Sequence, residues 1–385
     1  MASLPETSLR APQSGIRAIG ALAARVPDAI RLHVGDPDFN TPAHIIDAAA
    51  HDAHDGYTKY TPSVGLMSLR ERIAEKIEAR NGIACTSDQV VVTTGGCGAL
   101  FMSLLALIEP GDEVLVPDPG WANNIPIVTA VRGVAVHYPL DPERGFEPDL
   151  VELRARIGPR ARALIVNTPG NPTGCVYTRA VLEGLLTVAE EHDLWVISDE
   201  CYDDLAFDEE HTSVATLGQP ERTVSVFSFS KSYAMTGWRV GYTLSPPEVA
   251  AVIGRLQESV VANASSVSQR GAEAALTGSQ EPVATMRDAF RARRDAAVAL
   301  LRAENVRFVY ARGAFYLMVD VSSAGSDDEA VCRRLLEEDK VAVVPGSAFG
   351  PTGAGFARVS LSSSPETVQE GLKRLASFLH RAPDR

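Results

Sequence analysis

The sequence predicts an α/β protein: a large domain with a mostly parallel seven-stranded sheet sandwiched by helices, plus a smaller α+β domain. Three observations carry this. The strand-like runs of the first two thirds are continuous apolar stretches rather than alternating ones, as expected where both faces of a sheet are covered. Helical periodicity lies between most of them, the order that feeds parallel strands. After Gly278-Ser279-Gln280-Glu281-Pro282 the rhythm changes, and a chain of 385 residues is too long for one simple core.

In order, residues 1–34 read as an arm with a short helix, and Gly35 to Pro42 as a turn-rich loop. Helical periodicity follows over 43–54 and 66–80, the latter closed by Asn81-Gly82, a good C-cap. The large-sheet strands are Val90–Thr93, Glu113–Val116, Val134–Tyr138, Ala163–Val166, Leu194–Ser198, Val224–Phe227 and Val240–Leu244, with helices such as 97–108 and 178–192 between them. A long helix over 283–304 then leads to strands near 307–310 and 314–319, a helix over 327–338, strands near 341–344 and 356–361, and a last helix over 365–380. The expected division is 1–44 as arm and part of the small domain, 45–281 as the large domain, and 282–385 as the small one.

Composition narrows the function. The chain is 45% hydrophobic and 22% charged, ordinary for a soluble globular protein. A net charge of -13 argues against general binding of nucleic acid or anionic membranes. No run reaches the ~20 apolar residues of a membrane helix, and the N-terminus lacks the pattern of a secretory signal. Five cysteines without C-x-x-C spacing read as reduced thiols, which places the protein in the cytoplasm. No metal site is expected.

The chemistry-bearing residues stand just beyond the strands, where open α/β sheets bind ligands. Lys231 is a lone lysine between hydroxyl residues at a strand end, suited to a Schiff base with an aldehyde cofactor. Ser228, Ser230 and Arg239 around it suit that cofactor's phosphate. An isolated S-x-S-K is usually a surface lysine on a polar turn, but this one has company. Asn167-Thr168-Pro169-Gly170-Asn171-Pro172-Thr173-Gly174 follows one apolar run, and Ser198-Asp199-Glu200-Cys201-Tyr202 follows the next. Together these segments resemble the class I/II pyridoxal-phosphate-dependent aminotransferases of fold type I, aspartate aminotransferase-like, over about Gly35 to Arg358.

The resemblance implies further roles. Asp199 is the partner of the pyridine nitrogen, and Tyr202 and Asn171 donate to the phenolic oxygen. Alone, Asp199 would read as a loop carboxylate, Asn171 as β-turn chemistry and Tyr202 as packing. Thr94-Gly95-Gly96-Cys97 opens a helix after a strand, and Gly96 and Cys97 align with backbone donors to the phosphate. Trp121 corresponds to the aromatic residue stacked on the ring. Tyr60 corresponds to a tyrosine that reaches the phosphate of the other subunit in a homodimer, although by itself it reads as a loop tyrosine. Arg358 alternates with apolar neighbours on a strand; aimed inward it needs an anion, and the family clamps the substrate α-carboxylate there. Gly35 corresponds to a backbone donor to the same carboxylate. Cys97 stands where some relatives acting on acidic amino acids carry lysine, which argues against an aspartate-only preference. No arginine is assigned to a substrate side chain; Arg10 and Arg17 lie in the arm.

The expected activity is amino-group transfer between an L-amino acid and a 2-oxo acid by a ping-pong cycle. Two alternatives share the residues: a pyridoxal-phosphate-dependent carbon–sulfur β-lyase, and a non-catalytic ligand-sensing domain. The presence of Lys231 weighs against the latter.

Overall fold

The computed structural model describes residues 15–381. The first strand, β1 (Ile30–Arg31), stands apart from the main sheet. That sheet comprises β2 (Val90–Thr93), β3 (Glu113–Asp118), β4 (Val134–Asp141), β5 (Glu147–Pro148), β6 (Ala161–Asn167), β7 (Trp195–Asp199), β8 (Thr223–Ser228) and β9 (Gly241–Leu244), in the spatial order 2-9-8-7-6-3-4-5. Only β9 and β5 run against the others. The sheet thus has eight strands rather than seven. The addition, β5, is a two-residue edge ending in Pro148, too short for a periodic signal and barred by its proline from donating to a further strand.

Both faces are covered, as the unbroken apolar runs require. Along β6, Leu164 and Val166 pack into one core with Leu182 and Leu185 of the helix Arg179–Glu191. Ala163 and Ile165 point the other way, into a core with Leu100 and Leu104 of the helix Gly95–Leu107. The two-residue alternation of side chains sends one strand into two cores.

Beyond the helix Glu281–Ala303 comes a four-stranded antiparallel sheet, in the order β10 (Phe308–Val309), β11 (Tyr316–Asp320), β14 (Phe356–Ser360), β13 (Val344–Pro345). The helices Asp328–Asp339 and Pro365–His380 close a third core over it, around Leu317, Leu335, Val359 and Leu372. The remaining strand, β12 (Val341–Ala342), pairs in parallel with β1. The helix Gly15–Ala23 sets Ile19 and Ala23 against Leu336 and Ala342. The N-terminal segment is therefore built into the C-terminal layer.

Sequence signals set most boundaries. Asp327 accepts from the amides of Glu329 and Ala330, and Ser364 from Thr367, fixing two helix starts. The helix Met67–Lys76 runs through a wider last turn, Ile77–Asn81, to Gly82 at φ 70°, the left-handed closure the Asn-Gly pair predicts. The helix Gly95–Leu107 is different: Thr94 makes no side-chain cap. Its first amides are left for another acceptor. No helix among the described residues is long and apolar enough to cross a membrane.

Candidate active site

The ends of β2, β6, β7 and β8 open onto a cavity of about 350 Å³, closed on the far side by Gly35, Tyr316 and Arg358. Every site residue singled out from the sequence lines it except Tyr60. Tyr60 is 90% exposed on this chain. Arg17 belongs to the helix Gly15–Ala23 but does not line the cavity, and Arg10 lies outside the described residues.

Lys231 lies in the short helix Phe229–Ser232 that follows β8; Ser228 starts that helix by accepting from the Ser230 amide at 3.1 Å. The Lys231 Nζ donates to the Gly35 carbonyl at 2.6 Å and stands 5.9 Å from the Tyr202 ring centre and 5.7 Å from that of Phe315. Burial pushes its pKa down to about 8; Asp36 opposes this, and Arg358 and Arg239 assist it. The hydrogen bond seen for Gly35 is thus as an acceptor, from Lys231. A side chain there would not fit, because its Cβ would lie 2.7 Å from the Tyr316 hydroxyl.

Arg358 is 1% exposed. It donates to Asn171 Oδ1 at 3.0 Å and to the His33 carbonyl at 2.7 Å, and it packs over Tyr316 and Phe349, 4.4 and 4.9 Å from their ring centres. Its Nε has no partner, and no carboxylate among the described residues pairs with it. Burial lowers its pKa. A guanidinium held this way lacks an anion. Asn171 is held in turn by its own amide, which donates to Asn167 Oδ1 at 2.9 Å.

Asp199 shows the complementary deficit. It is buried, accepts from the Cys201 amide at 3.2 Å and from the Cys201 thiol, and pairs with no cation among the described residues. Burial raises its pKa. Tyr202 is buried, exchanges a 3.0 Å hydrogen bond with Tyr316, and has its pKa raised by burial, so its hydroxyl keeps the proton it can donate.

These groups fit pyridoxal phosphate. At one end, the uncapped amides of Gly96 and Cys97, the Ser228 and Ser230 hydroxyls and the Arg239 guanidinium suit a phosphate. Arg239 has φ 52°, uncommon for a residue with a side chain, and its Nη1 donates to the Thr236 carbonyl at 2.8 Å. The space beside it depends on glycine: a Cβ on Gly95 would lie 2.8 Å from its Nη2, and one on Gly96 2.5 Å from Cys201 Sγ. Asp199 offers the negative partner a protonated ring nitrogen needs, Trp121 an aromatic face, and Lys231 the amine.

The cavity also recruits Ile16, Asp36, Asn167, Cys201, Thr236 and Tyr316, which the sequence reading passed over. Asn167 and Cys201 sat inside the quoted motifs, and their place at strand ends was the available signal. Tyr316 opens an apolar strand, where nothing marks it as a site residue.

Comparisons with known proteins identify the family. The family described as aminotransferase class I and II matches residues 27–375. The chain is 40% identical over 358 residues to the aspartate/prephenate aminotransferase of Thermus thermophilus, covering 92% of each. It is 39% identical over 347 residues to the arginine–pyruvate transaminase AruH of Pseudomonas aeruginosa, covering 90% of this chain and 88% of that protein. A solved double mutant of Thermus thermophilus aspartate aminotransferase superposes with a TM-score of 0.94 at 38% identity, covering 98% of this chain and all of that one. The chain therefore belongs to the aminotransferase class I and II family, as a pyridoxal-phosphate-dependent aminotransferase.

Proposed function

We propose that the enzyme moves the amino group of an L-amino acid to a 2-oxo acid in two half-reactions at the cavity beside Lys231. The observation that carries this is that Lys231 and Arg358 face one cavity and no carboxylate among the described residues pairs with either. Bound pyridoxal phosphate supplies the electron sink. The protein supplies the rest. Arg358 holds the substrate α-carboxylate, with Asn171 fixing its plane and the Gly35 loop alongside. Lys231 would anchor the cofactor, and its Nζ, when free, would take up the α-proton of the bound amino acid. A pKa near 8 suits an amine that must alternate between base and acid. Asp199 keeps the ring nitrogen protonated, and Tyr202 and Asn171 stabilise the phenolic oxygen. Trp121 stacks on the ring. Gly96, Cys97, Ser228, Ser230 and Arg239 hold the phosphate.

Tyr60 completes that phosphate site from the second subunit of a homodimer. Its exposure here supports this, since a tyrosine so open on one chain gains a role where chains meet. The division into segments 1–44, 45–281 and 282–385 belongs to the same reading, supported by the change from the eight-stranded sheet to a distinct four-stranded sheet beyond Glu281. So does a cytoplasmic setting, supported by the five free cysteines. The names of the relatives span aspartate, prephenate, arginine and pyruvate. Arg358 reads only the carboxylate these compounds share, so the side-chain preference rests elsewhere.

The test is the visible spectrum of protein loaded with pyridoxal phosphate, followed as aspartate, glutamate, alanine, arginine or phenylalanine is added without any oxo acid. The expected result is a single conversion to the pyridoxamine form with one oxo acid per site, fastest for the true donor. Continued release of oxo acid and ammonia would reject the reading in favour of a lyase.

A further inference from the structure

Asp199 and Glu200 are consecutive carboxylates at the end of β7, and neighbouring side chains there point to opposite sides. Asp199 faces the cofactor cavity. Glu200 faces away and is wholly buried. Its Oε1 accepts from Ser198 Oγ at 2.8 Å; its Oε2 accepts from Ser213 Oγ at 2.6 Å and pairs with His211 Nε2 at 2.8 Å. Its amide donates to the Val226 carbonyl at 2.9 Å. Next in the segment, Asp203 accepts from Lys76 Nζ at 2.5 Å and from Asn81 Nδ2 at 3.2 Å, and Asn81 also donates to Ser213 at 3.0 Å. A connected polar network therefore lies behind the carboxylate assigned to the ring nitrogen, and nothing in the catalytic reading uses it.

The network's charges do not balance without His211. Three buried carboxylates, Asp199, Glu200 and Asp203, stand against one lysine, Lys76. A proton on His211 offsets a second carboxylate, and a proton on the cofactor ring nitrogen offsets the third. Buried charge left uncompensated is costly, so the two protons belong to one balance. The groups facing His211 are Glu200, Asp203 and Lys76; burial opposes its charge, but Glu200 and Asp203 outweigh that and raise its pKa. Its Nδ1 is buried and has no partner among the described residues, and the residue itself lines a polar cavity of about 680 Å³. That cavity also holds Asp204, Asp208, Glu209 and Glu210 against Arg80, Arg287 and Arg291.

We propose that His211, acting through Glu200, is a positioning residue for Asp199: its positive charge keeps Asp199 ionised and aimed at the cofactor ring nitrogen. This rests on the assignment of Asp199 made above. The physical reason is directional. Glu200 lies on the Asp199 side of the proton shared with the ring nitrogen. If Glu200 loses its compensating charge, its field draws that proton from the ring onto Asp199 and weakens the ion pair.

The test is the affinity of the apoprotein for pyridoxal phosphate in wild type, His211→Gln, Glu200→Gln and the double variant. His211→Gln should lower affinity by roughly tenfold, the worth of about one pKa unit. The double variant removes both charges and should recover to within about threefold of wild type, which lost packing alone would not do. A double variant as weak as His211→Gln, or an unchanged His211→Gln, overturns the proposal. If His211→Gln fails to fold, the near-isosteric Glu200→Gln carries the test by NMR titration of the imidazole in the apoprotein. A fall of about one pKa unit or more is expected, and an unmoved titration overturns the proposal. Asp199→Asn separates the two levels: if it leaves both affinity and turnover intact, the Asp199 assignment has failed, whatever His211 does.

Discussion

The two largely buried lysines Lys76 and Lys231 are treated in opposite ways. Lys76 meets the carboxylate of Asp203 at 2.5 Å and the side chain of Asn81 at 2.9 Å. Burial opposes its charge, but Asp203 overrides burial and holds its pKa well above the usual range. Lys231 meets a carbonyl and aromatic faces, and burial wins, bringing it to about 8. The same contrast separates Asp203 from Asp199, four residues earlier. It also separates Arg358, with no carboxylate partner among the described residues, from Arg294, which the carboxylates of Asp208 and Asp295 hold at 2.8 and 2.6 Å. Where the fold needs a charge, it pairs it. Under the mechanism proposed above, the charges left without a partner are those the cofactor and substrate would complete.

The contrast can be broken by exchanging the two treatments. Lys231→Ala should cost the most in turnover, more than about 10³-fold, since it removes the anchor and the proton carrier together. Its melting temperature should stay near that of the wild-type apoprotein, because no ion pair is lost. Single-turnover transamination and a thermal melt on the same preparation check both halves; retained transamination would remove Lys231 from the mechanism. Asp203→Asn should show the reverse. Leaving Lys76 buried without its anion should destabilise the protein by about 3–5 kcal/mol in urea unfolding. Turnover per folded molecule should stay within about threefold. A variant that remains stable but inactive would mean the structural pair is part of the site after all.

How much of this was legible in the sequence follows the same division. The cavity-facing groups sit in short motifs at strand ends, so Asn171, Asp199, Tyr202, Lys231 and Arg239 stood out in one dimension. The apolar runs also announced their strands, because both faces of the sheet are covered. The compensating partners did not stand out. Lys76 and Asp203 are 127 residues apart in the chain, and His211 meets Glu200 across a loop with no regular period. Ion pairing of this kind is settled by tertiary packing, which local pattern does not encode. Tyr316 was hidden for a related reason. It opens β11 in register with Ser360, so the pairing of β11 with β14 brings it near Arg358, and the packing of the segment after β7 brings it to Tyr202. The edge strand β5 escaped because two residues carry no periodicity.

The smallest effect sharpens the comparison most, because it reads the two lysines in the apoprotein without catalysis. For Lys231 the folded pKa of about 8 lies below the ordinary lysine value of 10.5. Between those values the unfolded chain binds a proton that the folded chain does not, so this group's contribution to stability rises with pH across the window. For Lys76 the folded pKa lies above the unfolded one. Its contribution is complete below about 10.5 and is lost only as pH climbs through the folded value, so it stays constant over the same range. Other buried groups titrate nearby: burial raises Cys85 to about 11 and Tyr233 to about 12, and these bias stability the other way as pH rises. They are common to wild type and Lys231→Met and cancel in the difference. Urea unfolding of both proteins at pH 8, 9 and 10 should therefore show wild type gaining on Lys231→Met as pH increases. A difference that stays flat would place Lys231 at an ordinary lysine pKa and leave the cavity without the poised amine on which its chemistry depends.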